Sequence, residues 1–365
     1  MACFAAFALA FSLTGSGQAA PRYWVGTSGS WATLANWSTN PNNPTPNPTA
    51  VPGGSDDLFF NISSANANTV IDLNAARAAE SLNFTSQGTI QFRGNTSGTT
   101  ARVLTVSPRG ITMAPGAGAV TIGSGGGNVN LSFSSSQSIT NNSSSNLNIN
   151  NNVQGTNSPT ITNSGTGTNY VGMGVLQATV GKVVQNSASS TLGLRSNNTA
   201  FAGDLEILKG TVLIGTNANN LGSATSGKVV LGGSGSDGAT IEINDNQNIT
   251  YNARPIVLGT TTGTLKLVLR DEGGGSYTHT MTGAILGPNN LTLESRASGD
   301  AKDDKFVFTT GGLNNAGTIT HIGDSVADLT INSTIGPLVT GVIQNSASSR
   351  LALNGTNTYA GTTTV

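Results

Sequence analysis

An eleven-residue stretch occurs twice in this chain, and that recurrence narrows the possible folds more than any other feature. Val184-Gln185-Asn186-Ser187-Ala188-Ser189-Ser190-Thr191-Leu192-Gly193-Leu194 returns 159 residues later as Ile343-Gln344-Asn345-Ser346-Ala347-Ser348-Ser349-Arg350-Leu351-Ala352-Leu353. Both copies continue alike, Asn198-Thr199-Ala200-Phe201-Ala202-Gly203 against Asn357-Thr358-Tyr359-Ala360-Gly361, with one residue inserted in the first. Gly283 to Leu293 is a weaker echo. Between the copies, short runs alternate apolar and polar residues, as in Val103-Leu104-Thr105-Val106, Leu147-Asn148-Ile149, Thr240-Ile241-Glu242-Ile243 and Leu265-Lys266-Leu267-Val268-Leu269. Period-2 alternation predicts strands with one buried face. The intervening Gly, Asn and Ser suit sharp corners. Helical spacing is nearly absent; Asn74 to Ser81, with its alanines, is the one stretch that could form a helical turn.

Repeats of short strands and tight corners point to an all-β solenoid, a parallel β-helix whose coils bury apolar faces only against their neighbours. A β-sandwich leaves the recurrence unexplained. Within such a stack Val, Ile and Leu fill the interior, and Asn and Thr form ladders from coil to coil.

The composition suits that fold and excludes several functions. Charged residues are 9% of the chain, against roughly 25% in an average soluble domain, while 36% hydrophobic residues and 48 glycines leave enough material for a core. A net charge of −1 with no basic stripe argues against nucleic-acid binding.

Three segments are expected. Residues 1–19 read as a secretion signal, with the apolar run Phe4 to Leu13 and cleavage after Ala19, although no Lys or Arg precedes the run; the alternative is a buried N-terminal strand. The only cysteine, Cys3, falls inside it, so the exported chain has no disulfide. No later apolar run reaches the roughly 18 residues of a membrane span. Residues 20–60 form a small cap holding Trp24, Trp31, Trp37 and a proline-dense loop, with Leu58 to Phe60 as the first strand, docked onto the repeats. Residues 61–365 are the β-helical repeat region.

The end of that region, Leu351, Leu353, Gly355, Asn357, Thr358, Tyr359 and Gly361 with the Thr-rich strand after them, resembles the autotransporter-associated beta strand repeat. Leu205 to Gly215 and Asn220-Leu221-Gly222-Ser223 resemble its continuation, and Tyr23-Trp24-Val25-Gly26 with Asn36-Trp37 is similar to the start of large secreted proteins carrying such repeats. The resemblance implies a right-handed parallel β-helix displayed outside a bacterial cell, often as an autotransporter passenger. Members usually run on into further repeats and a barrel or sorting tail, so the chain is expected either to be truncated at Val365 or to have its anchor encoded elsewhere.

No catalytic cluster stands out. The acidic pairs Asp56/Asp57, Asp271/Glu272 and Asp303/Asp304 are sequence neighbours, which a strand points to opposite faces, and the last reads as a solvated loop. His279 and His321 are expected at outward ladder positions, without partners for a metal. Gly232 to Asp237 matches the first six positions of the calcium-binding nonapeptide, a device that needs tandem copies. Trp24, Trp31 and Trp37 either plug the open first coil or form an aromatic platform for glycans, and the plug is preferred. The reading is therefore an exported, monomeric, structural or adhesive surface protein without cofactors, its partners extracellular glycans or other cell surfaces. The alternative is a polysaccharide-degrading or glycan-binding protein on the same fold.

Overall fold

The computed structural model describes residues 19–61, 68–95, 100–123, 127–270, 275–297 and 304–365. The apolar run assigned to secretion, Asp271/Glu272 and Asp303 lie outside the described residues. Apart from one 3-10 turn at Leu34–Asn36, the regular elements described are all strands. They stack into a parallel β-solenoid, and no described helix is long and apolar enough to cross a membrane.

One turn shows the plan. Val129–Phe133 lies on a first side, Gln137–Asn141 on a second and Leu147–Ile149 on a third. The next turn places Val153–Gly155, Thr160–Ser164 and Tyr170–Met173 beside them, parallel and in register. Inward residues therefore form columns. On the third side Ile90, Val120, Leu147, Val171, Leu192, Val212, Ile241, Leu267 and Leu293 stand one above the next, all buried. Each such side chain contributes about 1.5–3 kcal/mol on burial. Turn length varies from 20 residues (Leu192 to Val212) to 30 (Ile90 to Val120). The inner columns stay constant while the corners absorb the difference.

Two long strands turn a corner without breaking. In Asp204–Ile214, Leu205 to Ile207 pair with Val229–Leu231 on the second side, and Gly210 to Ile214 pair with Ala239 to Ile243 on the third. Gly210 has φ +75°, and the Ser187 carbonyl fills the space a Cβ would need. Gly110, with φ +73°, does the same in Arg102–Met113 against the Ser138 carbonyl. Only glycine meets both demands.

The first described strand is Ala20–Trp24, not Asp56–Phe60, which pairs both with it and with Ser81 to Phe84. Residues expected to make a helical turn are strand from Arg77 onward, because their register against Leu104 to Val106 outweighs alanine's helical preference. Trp24, Trp31 and Trp37 are fully buried. Trp37 meets Trp24 and Trp31 edge-on with ring centroids 5.0 and 5.2 Å apart, and its ring leads into Phe60, Phe84 and Phe92 of the core. Two indole N–H groups are satisfied: Trp31 donates to the Pro52 carbonyl and Trp37 to the Trp31 carbonyl. A glycan platform at these three residues is thereby corrected, since packing takes up the indole faces a sugar needs.

The recurrent sequence is an interior corner. Gln185 is buried, and its Nε2 donates to the carbonyls of Ser187 (3.0 Å) and Ser190 (2.6 Å). Gln344 Nε2 donates likewise to Ser346 (3.1 Å) and Ser349 (2.6 Å). In each copy the first serine hydroxyl donates to a carbonyl of the previous turn, Gly165 or Gly323, and accepts the N–H of the last serine. Asn198 Oδ1 accepts the Leu176 N–H at 2.9 Å, as Asn357 Oδ1 accepts that of Ile335 at 3.0 Å. The copies nevertheless occupy different sides. Lys182–Asn186 and Thr191–Leu194 lie on the second and third. Gly341–Gln344 and Leu351–Leu353 lie on the third and the first.

Arg254 binds the tail of the first copy. Its buried guanidinium lies over the Phe201 ring at 5.2 Å and donates to the carbonyls of Phe201 (3.2 Å), Gly203 and Lys228 (3.4 Å). Burial pulls its pKa down to about 10.

Candidate functional site

Outward positions of the third side also form columns, and three successive strands bring charge together there. Ala239–Asn244, Leu265–Arg270 and Leu291–Arg296 are in register, so Glu242, Val268 and Glu294 make one column and Thr240, Lys266 and Thr292 a second. Asn244, Arg270 and Arg296 make a third. With about 4.8 Å between rungs, Glu242 and Glu294 are two rungs apart. Arg296 reaches both, at 3.7 Å from Glu242 and 2.6 Å from Glu294. Arg270 lies 3.5 Å from Glu242 and Lys266 2.9 Å from Glu294.

Two carboxylates flanking a groove are what glycoside hydrolysis requires, but one of them must hold a proton. Burial pushes the Glu294 carboxyl up, yet hydrogen bonds from Arg296 and Lys266 outweigh it and hold it below its ordinary range. The hydrogen bond to Glu294 correspondingly raises Arg296. The ladder thus favours the anion at Glu294, and a group so held serves recognition better than proton donation.

Of the acidic pairs only Asp56/Asp57 is described in full, and its two side chains separate as strand geometry predicts. Asp56 caps the Gly53 N–H and lies 3.2 Å from Arg22, whereas Asp57 accepts from Ser81 and Arg109 at 2.6 and 2.7 Å. Asp304 is not in a solvated loop but buried, accepting the Tyr277 N–H at 2.6 Å, with its other oxygen 3.5 Å from His279 Nε2. The outward placement of both histidines is corrected too. His279 stands in an inward column between Ile249 and Phe306, and His321 stands above Leu293. Alternation decides this, because His279 has the parity of buried Met281 and His321 that of buried Ile319.

Among the described residues no three His, Cys, Asp or Glu side chains gather as a metal site. Asp237 of the calcium-like segment is exposed and lies 3.9 Å from Lys209 Nζ, a setting unlike the many-oxygen cage calcium takes.

The residues of the repeat signature each hold the fold. Leu351, Leu353 and Tyr359 pack on the core, and the Tyr359 hydroxyl is 2.7 Å from Thr363 Oγ1. Gly355 and Gly361 let the Ser333 and Thr340 carbonyls approach where a Cβ would stand. Thr358 donates its N–H to the carbonyl of Ile335, whose own N–H is held by Asn357. The charged ladder escapes sequence reading because Glu242 and Arg296 lie far apart in the chain. The signal was present in the outward charges of three consecutive strand units, Ile241-Glu242-Ile243, Leu265 to Arg270 and Leu291 to Arg296. No protein-family model, curated protein or solved structure matches the chain.

Proposed function

We propose that this chain is an exported structural or adhesive protein of a bacterial surface, related to autotransporter passengers, which works by presenting its outward columns rather than by catalysis. The observation that carries the reading is the contrast between the two faces of each strand. The inward column of the third side is aliphatic from Ile90 to Leu293, while its outward positions carry Thr at Thr191, Thr211, Thr240 and Thr292 and paired charges on three successive rungs. Such a surface offers many weak polar contacts at a fixed spacing, which suits attachment by multiplicity. Its low charge and lack of cysteine after residue 3 are compatible with crossing an envelope before folding.

The test is antibody labelling of intact cells, paired with attachment of a strain lacking the gene. Labelling of unpermeabilised cells with reduced attachment is expected. Protein confined to the cytoplasm, or attachment unchanged by the deletion, overturns the proposal.

A further inference from the structure

Just before the charged ladder, the third side carries a feature that the corner and ladder chemistry does not use. Tyr170 and Thr191 are register partners, and Gly172 and Gly193 are partners two residues further along. By parity both glycines face outward, yet both are buried. The cover is the Tyr170 ring. A Cβ on Gly172 would meet the ring edge, and one on Gly193 would meet its hydroxyl end. The ring therefore lies flat along the sheet, across two rungs of bare backbone. Burial raises the phenol's pKa, so it stays neutral and protonated.

The rest of the ring lines a concavity of about 300 Å³. Its walls continue along the axis through Thr191, Thr211, Glu242, Asn244 and Arg270. These residues stand on successive rungs, about 4.8 Å apart, a spacing close to the length of one pyranose unit. A flat aromatic floor followed by hydroxyl, amide, carboxylate and guanidinium groups has the make-up of a sugar-binding surface. The ring stacks on axial C–H groups, and the paired polar groups accept and donate to ring hydroxyls.

We propose that this groove binds an extended 1,4-linked pyranose oligosaccharide lying along the solenoid axis, with one sugar stacked on Tyr170. The assignment rests on the adhesive reading and deepens it by naming a ligand class. It differs from the tryptophan platform, because its aromatic ring borders an open concavity instead of the core.

The test titrates purified full chain with cellohexaose, which is neutral, and with hexagalacturonate, which is anionic. At least one is expected to bind, and Tyr170→Ala should weaken binding about tenfold. Because Tyr170→Ala uncovers two glycines, a second variant is needed. Thr211→Trp fills the groove from a partly exposed position without touching its floor, and should abolish binding with the melting temperature unchanged. Thr250→Trp, exposed on the first side and away from the groove, should bind as wild type. Failure of both sugars to bind at millimolar concentration, or binding that survives Thr211→Trp, overturns the groove. Attachment of cells separates the two proposals. A deletion strain that attaches normally, alongside purified protein that binds sugar, overturns the adhesive role and keeps the groove.

Discussion

The two Gln-Asn-Ser-Ala-Ser-Ser corners make the same internal hydrogen bonds but stand in different surroundings. Around Gln185 the previous rung supplies Asn163, whose Nδ2 donates to Gln185 Oε1 at 2.6 Å. Around Gln344 the same place is taken by His321, with Nδ1 2.7 Å from Gln344 Oε1 and Nε2 3.3 Å from Ser349 Oγ. Gln185 is fully buried and Gln344 only partly. The first tail is fastened by Arg254, the second by Tyr359. A corner is thus a local module that closes its own bonds and fits either of two edges of the prism. What differs is how the neighbouring rung completes it and how deeply it is buried.

The comparison can be broken most severely at Arg254. Replacing it by Ala takes the guanidinium donor from the Gly203 carbonyl, leaves those of Phe201 and Lys228 with only the N–H groups of Ser223 and Leu205, and removes the cation over Phe201. A loss of about 3–5 kcal/mol is expected in urea unfolding. The same experiment on the glutamines separates burial from bonding. Gln185→Leu takes the amide donor from two buried carbonyls, leaves Asn163 Nδ2 only its 3.5 Å bond to Ser190 Oγ, and should cost about 3 kcal/mol. Gln344→Leu breaks matching bonds where water can replace them, and should cost about 1–2 kcal/mol. Equal losses would mean that exposure at the second copy does not matter.

The smallest effect concerns pH. Burial lowers the His321 pKa more than its bond to Gln344 raises it, so the folded state prefers the neutral ring. The unfolded chain takes up the proton near the ordinary value of about 6.5. Stability is therefore full above that pH and is lost as pH falls from there through the lower folded value. His321→Asn copies the first corner and should reduce the drop in melting temperature between about pH 7.5 and pH 5. Asn163→His should import such a drop. An unchanged pH profile in both variants would remove His321 as its source.

The alternation that betrays strands also names the inward residues correctly at Leu147 and Ile149, Ile241 and Ile243, and Leu265, Leu267 and Leu269. It even fixes the parity of His279 and His321, although their Thr and Gly neighbours read as a surface ladder. Gln185 was harder, because an interior amide looks polar until its two carbonyl acceptors are seen. The lateral pairing of rungs was not legible at all. Turn length varies, so nothing in the linear order says that Glu242 meets Arg296 or that Tyr170 covers Gly193. Those contacts depend on the vertical register, which is set by the inward columns together.

The vertical stacking also governs how the molecule responds to mechanical load. Strands run around the axis and their ladder bonds run along it, so tension on one end opens a single turn while the others stay closed. Each opened turn of 20 to 30 residues releases about 70–100 Å of slack. A tether built this way dissipates a sudden tug in steps, and Arg254, which joins three turns, should mark the highest force peak.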